Sequence, residues 1–458
     1  MTGCQTDIIN AIIQIVGREY VLTNAERLYN YSRDCTSDEE KIPSAVILPK
    51  DEKEISKILK ICNETKTSIT VRGGGTGVSR GALSETNGLI LSLERLNKII
   101  EINKIDRTVT AESGVITQDL RTAVLNEGLN FPQNISSANA CFIGGNIAVS
   151  SGSPKSLKYG TTKDYVINLE IVLPDGTIIW TGKNVTKNAT GYNLTQLFTG
   201  SEGTLGIITK VVLKLVPPAK ELLLMIPFSK IEKLFECVQQ FFAKGYEASS
   251  IEFIDQTGVK LASEFLDKKQ WNHETTKGLL WIELEGTASD KLMEQAIQIS
   301  EFIADYTQEE ISMADTQNGV KALWEMRSKV GEAVIHHVFF RDIDIVVPRS
   351  KIDEMYRSIA GIAKKYDFEY TVFGHVGNGN FHVNIFQDKQ TSKKEWEDQL
   401  AIWVKAIFLK ALELGGTISG EHGIGKINLP YLEEAMSHHH INIMKDIKAL
   451  FDKNSIIN

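Results

Sequence analysis

Val71-Arg72-Gly73-Gly74-Gly75-Thr76-Gly77 (VRGGGTG) runs straight on from the apolar stretch SITV, residues 68–71. The β-branched content of SITV marks a strand, so the glycines begin where the strand ends. Glycine takes positive φ readily and brings the backbone close to a ligand with no Cβ in the way. Several successive N–H groups can then converge on phosphate oxygens as an anion nest. Taken alone, the loop is equally an ordinary tight turn. Two better-known glycine motifs fit less well. A dinucleotide fingerprint opens a helix, whereas VSRGALSETNG (78–88) is turn-like, and no Gly-Lys-Ser/Thr follows as a Walker loop requires.

On the N-terminal side, SAVILP (44–49) is a second strand candidate. Residues 51–65 have helical period, with Ile55, Ile58, Leu59 and Cys62 on one face. Strand, helix and strand form a β-α-β unit ending at the loop, which suggests a parallel pair and a right-handed crossover. On the C-terminal side, strand-like runs alternate with glycine turns from Leu89 to Val216. Asp175-Gly176 between two apolar runs signals a hairpin. Two further small-residue stretches lie here: 136–153, with Gly144, Gly145 and Gly152, and 199–209, TGSEGTLGIIT. Three such stretches bounded by strands suggest one extended ligand, of the size of FAD, crossing several loops. The alternative is a β-rich domain with many tight turns.

Pro217 and Pro218 close this region and mark a domain boundary. Beyond them come LLLMIPF, a helix through Phe235 and Phe242, GLLWIELEG, a helix near Lys291 to Tyr306, and DIDIVVP. Strands and helices mix as in an α+β domain. Residues 431–451 are helical again. At the other end, Ile8, Ile12, Ile13 and Val16 give the first segment one apolar helical face.

A chain of 458 residues exceeds what one core supports. A net charge of -8 argues against a nucleic-acid surface, which needs clustered Lys and Arg. No apolar run approaches the roughly 20 residues that span a bilayer, and the N-terminus has no basic start for a signal peptide. The five cysteines, Cys4, Cys35, Cys62, Cys141 and Cys237, are odd in number and dispersed. That argues against a disulfide framework and against an iron–sulfur cluster, which needs grouped thiolates. A cytoplasmic protein is expected, with peripheral membrane association left open. Any electrons it gains must leave to an external acceptor.

The stretch from about Ile42 to Pro218 resembles the FAD-binding domain of the vanillyl-alcohol oxidase and p-cresol methylhydroxylase superfamily. The matching segments are VRGGGTG, CFIGGNIA, LKYGTTKDYV, LEIVLPDG, ATGYNL and GSEGTLGIIT. The resemblance implies that Arg72, Gly73, Gly74, Gly75, Thr76 and Gly77 hold the pyrophosphate of FAD. It also implies that Gly144, Gly145, Ser150 and Ile208 lie along the flavin and adenosine. The first loop has neither His nor Cys, so FAD is expected to be non-covalent, with Cys141 a packing residue.

Among nine histidines, His375 and His382 flank a Gly-Asn-Gly-Asn turn in FGHVGNGNFHVNIF, and His422 follows Glu421 in SGEHGIG. A tight turn brings residues seven apart face to face, and period two places His382 and Asn384 on one strand face. Two imidazoles plus Glu421 suit Zn²⁺, Mn²⁺ or Fe²⁺ and leave room for substrate. A lone histidine in such a loop is more often structural. The joint pattern, however, is similar to the C-terminal half of FAD-linked D-2-hydroxyacid dehydrogenases, a group including D-lactate dehydrogenases and the flavin subunit of glycolate oxidase.

By that resemblance His375, His382 and Glu421 are metal ligands, His422 is the catalytic base, and Asn384 and Arg327 contact the substrate. It implies an α+β fold in four stretches: an N-terminal helical segment (1–41), a two-part FAD-binding domain with mixed sheets (42–218), a substrate or cap domain (219–430) and a C-terminal helical segment returning to the FAD domain (431–458). The implied reaction is oxidation of a small D-2-hydroxy acid, D-lactate or glycolate, with electrons passed to a cytochrome, quinone or electron-transfer flavoprotein. A homodimer is an allowed state, and nucleic acid is not an expected partner.

There are departures. Asn378 stands where the family usually has Asp, and Asp342 where some relatives carry Lys, which disfavours a substrate with a second carboxylate. His336 and His337 read as packing or capping residues, and His438 to His440 as a solvated face. Two rival readings are the flavin subunit of a multi-subunit redox complex and a non-redox FAD enzyme resembling alkyl-glycerone-phosphate synthase.

Overall fold

The computed structural model describes residues 3–36, 40–85, 88–267, 274–335, 340–386 and 391–458; His336 and His337 lie outside them. The chain divides into two compact units. Unit 1 comprises residues 1–151, 161–218 and 421–458, and unit 2 comprises 152–160 and 219–420.

Unit 1 begins with the helix Gly3–Val16, whose Ile8, Ile9, Ile12 and Val16 are buried. They share one core with Ile55, Ile58, Leu59 and Cys62 of the helix Glu52–Thr65. Asp51 caps that second helix by accepting the Glu54 N–H at 2.8 Å. Around this pair lie the short strands β1 (Val21–Leu22), β2 (Ala45–Ile47), β3 (Ile69–Arg72) and β4 (Leu89–Ser92), in the spatial order β1-β2-β4-β3. The crossover strands β2 and β3 run parallel but are not neighbours, because β4 inserts between them and pairs in parallel with both. Every residue of β4 is buried, as a central strand covered on both faces requires.

A second, antiparallel sheet is formed by β5 (Ile99–Asn103), β6 (Thr108–Glu112), β7 (Val166–Val172), β8 (Ile178–Trp180) and β9 (Ile207–Lys214), ordered β5-β6-β9-β7-β8. Asp175-Gly176 makes the β7–β8 hairpin, with Gly176 at φ +83. The C-terminal stretch divides into the helices Leu432–Ala435 and His438–Phe451, interrupted where Ser437 caps the second. The chain then runs back along β3: Ile456 and Ile457 are fully buried, and the Ile69 N–H donates to the Ile456 carbonyl at 2.7 Å.

Unit 2 is a seven-stranded antiparallel sheet. Its strands are β10 (Lys220–Phe228), β11 (Ser250–Asp255), β12 (Gly278–Gly286), β13 (Ser312–Ala314), β14 (Phe340–Val346), β15 (Glu369–Gly374) and β16 (Asn380–Phe386), ordered β13-β10-β12-β11-β15-β16-β14. Helices Ile231–Ala243 and Ile352–Tyr366 supply Leu234, Phe235, Val238, Phe241, Met355 and Ile359 to its buried interior. Helix Gln317–Ile335 packs Val320, Met326, Val330 and Val334 with Trp281 and Phe373. Full burial of one such side chain is worth about 1.5–3 kcal/mol, so these contacts fix where Arg327, on the same helix, sits. Segment 152–160 joins unit 2 through Lys155, which meets Glu221 and Glu285 directly and Glu283 at 3.2 Å.

Candidate functional site

In unit 1 the glycine loop leaves β3 as the sequence suggests, and no helix follows it among the described residues. Gly75 adopts φ +70, and a Cβ there would run into the Arg72 guanidinium. A Cβ on Gly74 would strike the Ala140 carbonyl, while one on Gly73 would reach the Gly145 Cα at 3.8 Å. The first two glycine segments therefore lie side by side, and Gly77 and Gly145 face open space. Among the described residues no acceptor takes the N–H groups of Gly74, Gly75, Thr76 and Gly77. The Arg72 side chain is buried and turned inward, donating to the Arg33 carbonyl at 2.8 Å and lying over Tyr31. Burial pushes its guanidinium below the ordinary value.

Ser150 ends the helix Ile143–Val149 at φ +53, with its hydroxyl 3.2 Å from that of Thr161. Ile208 is buried within β9. Cys141 is buried too, its thiol on the Thr117 hydroxyl, as a packing residue should be.

The third glycine segment contributes a residue that its composition does not announce. Glu202 sits at φ +53, a conformation uncommon for a non-glycine residue. Its carboxylate accepts the N–H groups of Ile424 at 2.9 Å and Gly425 at 2.7 Å. The Ser79 carbonyl accepts Lys426 N–H at 2.9 Å. Glu421 and His422, whose side chains approach to 3.9 Å, stand at the start of this clamped turn. The segment carrying His422 is thus tied to the third glycine segment and to the turn that follows the first.

In unit 2 the β15–β16 turn places the His375 and His382 rings 5.4 Å apart and nearly perpendicular. Both are buried, as is Asn384. On neighbouring β14, Asp342 lies opposite Asn384 and Asp344 opposite His382. Asn384 Nδ2 donates to Asp342 at 3.1 Å, and the other Asp342 oxygen stands 3.8 Å from His382 Nδ1. Asp344 accepts the Gly420 N–H at 2.8 Å and the Ser419 hydroxyl at 3.1 Å. The chain therefore leaves this sheet edge one residue before Glu421.

Arg327 is buried, not on the surface where its helical context alone would put it. It lies over the Phe373 ring, with Nε 3.0 Å and Nη2 2.7 Å from Glu252 Oε2. The other Glu252 oxygen meets His375 Nδ1 at 2.7 Å. Glu252 is fully buried on β11, and nothing in its local sequence, SIEFID, sets it apart from any strand carboxylate. His438, His439 and His440 are exposed, as a solvated face would be.

Residues 217–458 match the family model "FAD linked oxidases, C-terminal domain", and residues 43–182 match "FAD binding domain". The chain is 38% identical over 456 residues to the glycolate oxidase subunit GlcD of Bacillus subtilis (strain 168), covering 99% of this chain and 96% of that one. It is 34% identical to a D-lactate dehydrogenase of Anaerostipes hadrus, covering 93% and 92%. The solved structure of p-cresol methylhydroxylase with substrate bound superposes with a TM-score of 0.81 at 16% identity, over 100% of this chain and 96% of that one; at that identity it shows the fold alone. This chain belongs to the FAD-linked oxidase family and is an FAD-dependent oxidoreductase of the D-2-hydroxyacid dehydrogenase and glycolate oxidase type.

Proposed function

We propose that the protein oxidises a small D-2-hydroxy acid with one carboxylate, D-lactate or glycolate, to the 2-oxo acid, with a divalent metal assisting. The observation that carries this reading is the buried set His375, His382, Asn384 and Arg327 in unit 2: the two imidazoles face each other, Asn384 is two residues on from His382 in β16, and Arg327 shares Glu252 with His375. The residues present fit both groups that the reaction needs. For FAD, the N–H groups of residues 74–77, which no acceptor takes among the described residues, suit pyrophosphate oxygens, and the attachment proposed is non-covalent, this loop having neither His nor Cys. For the metal, His375 holds Nδ1 on the Glu252 carboxylate at 2.7 Å, which suits an Nε2 lone pair directed at a cation, and Asp342 stands 3.8 Å from His382 Nδ1. Glu421, one residue beyond the anchored Gly420, is the third proposed ligand, and Zn²⁺, Mn²⁺ or Fe²⁺ suits such a set.

FAD supplies a hydride acceptor, and a divalent cation supplies a Lewis acid for the substrate hydroxyl. The chain supplies position and proton removal. Arg327, with Nε and Nη2 already on Glu252, offers its remaining edge to the substrate carboxylate. Asn384 is the second proposed substrate contact. His422 takes the hydroxyl proton, a task that suits a neutral imidazole near pH 7. Asp342, opposite Asn384 on β14, repels a second carboxylate, which favours lactate or glycolate over a dicarboxylate. Electrons leave to an external acceptor. No helix of the described residues is long and apolar enough to cross a membrane.

The test is an anaerobic screen of 2-hydroxy acids by flavin absorbance. Bleaching by D-lactate or glycolate is expected, and a flavin that no 2-hydroxy acid bleaches would refute the reading. A second reading rests on the word "subunit" in the Bacillus relative's name: this chain would be the flavin component of a larger redox complex. Purification of the native protein always free of any partner would count against it.

A further inference from the structure

Glu252 belongs to no glycine segment, histidine motif or expected ligand set, yet it touches two residues of the proposed site. It is fully buried, with Oε1 on His375 Nδ1 at 2.7 Å and Oε2 on Arg327 Nε and Nη2 at 3.0 and 2.7 Å. The Ser250 hydroxyl lies 3.4 Å from Oε1. These partners come from three elements distant in sequence: β11, the helix Gln317–Ile335 and the end of β15. A carboxylate buried this deeply needs partners to offset its desolvation, and the Arg327 cation and the His375 N–H provide them.

We propose that Glu252 is a positioning residue serving both halves of substrate recognition: it sets the metal-binding tautomer of His375 and fixes the guanidinium plane of Arg327. An ionised carboxylate only accepts hydrogen bonds, so His375 must carry its proton on Nδ1. Nε2 then bears the lone pair that a cation requires. Through Oε2 the same carboxylate holds Arg327 by two N–H groups, over the Phe373 ring, so that its remaining edge faces a single direction. One carboxylate thus keeps the metal ligand and the carboxylate clamp in register. This inference rests on the metal set proposed above.

Glu252→Gln isolates the effect because it keeps the shape and removes one acceptor. If the amide oxygen stays on Arg327, the amide NH2 faces His375 Nδ1 and drives the proton to Nε2, leaving no lone pair for the metal. If the oxygen turns to His375, an N–H meets the N–H groups of Arg327 and the clamp is lost. The experiment measures Zn²⁺ or Mn²⁺ affinity by chelator competition on FAD-loaded protein, together with KM and kcat for D-lactate or glycolate.

For Glu252→Gln with unchanged FAD content, metal binding weakened about 10–100-fold is expected, as for other outer partners of metal-bound histidines, or else KM raised about tenfold through the lost clamp. Wild-type metal affinity with wild-type KM would overturn the inference. Should the Gln variant fail to fold, Glu252→Asp withdraws the carboxylate by one methylene and cannot span both partners. It must then lose about tenfold in metal affinity or in KM, and preservation of both would overturn the inference equally. Failure of the wild-type protein to bind metal is a different result: it removes the metal set itself.

Discussion

Replacing Lys155 by Met tests whether the ion cluster that holds segment 152–160 to unit 2 contributes as its burial implies. The Lys155 side chain is 9% exposed, and Glu283 and Glu285 are each 2% exposed. Burial alone would lower the Lys155 ammonium, but Glu283, Glu221 and Glu285 outweigh it and hold it above its ordinary value. Burial pushes the Glu283 carboxyl up. At Glu285 the effect of burial is outweighed by Lys155, which holds that carboxyl down. Methionine fills the same volume and leaves two buried carboxylates short of their cation.

Glu285 keeps Lys158 at 3.2 Å and the Tyr159 hydroxyl at 2.6 Å, and Glu283 keeps the Ser249 hydroxyl at 2.7 Å and the Trp324 indole at 3.1 Å. Glu221 is 40% exposed, so solvent screens it and its loss of Lys155 adds little. Removing one partner of a buried pair costs about 3–5 kcal/mol. At about 2–4 °C per kcal/mol for a unit of this size, the unit-2 transition should fall by on the order of 10 °C in scanning calorimetry at pH 7. Adding Glu283→Gln to the variant should recover part of that loss. A shift of under about 2 °C would refute the reasoning.

Two further outcomes are expected. Glu202→Gln loses one of two charge-assisted bonds to the turn carrying His422, at about 1.5–3 kcal/mol; kcat should drop about tenfold or more with FAD content unchanged, and a kcat within twofold of wild type would count against the clamp. Asp255 is fully buried and pushed up from 3.8 to about 6 by desolvation, although Thr371, Gly258 and Val372 all donate to it. Because the folded value lies above the unfolded one, the associated stability is fully present below about pH 4 and is lost as pH rises through about 6. The melting temperature of the wild type relative to Asp255→Asn should therefore decline across that window, and a constant difference would exclude the effect.

What the sequence made legible was local. The helix over residues 51–65 follows from the spacing of Ile55, Ile58, Leu59 and Cys62, all buried. The hairpin at Asp175-Gly176 follows from turn chemistry, and the glycine loop from its place after a strand. Pairings across the chain were not legible. β4 separates β2 from β3 because strand order is decided by burial on both faces, which a four-residue apolar run does not encode. The burial of Arg327 is not legible from its helix, because the carboxylate that it meets, Glu252, lies 75 residues away. Glu202 was visible only as part of a small-residue stretch, and its two hydrogen bonds join segments 222 and 223 residues apart. The histidines stand out in the sequence because their motifs are compact; the carboxylates beside them, Glu252 and Asp342, lie on other strands and leave no local pattern.

The most direct test of hydroxy-acid oxidation with His422 as base is the anaerobic flavin-bleaching rate of FAD-loaded His422→Ala, with D-lactate or glycolate at saturating concentration. Loss of a general base should slow that step about 10²–10⁴-fold while FAD content and absorbance before substrate stay unchanged. A variant that retains its FAD and bleaches within about tenfold of the wild-type rate would contradict it.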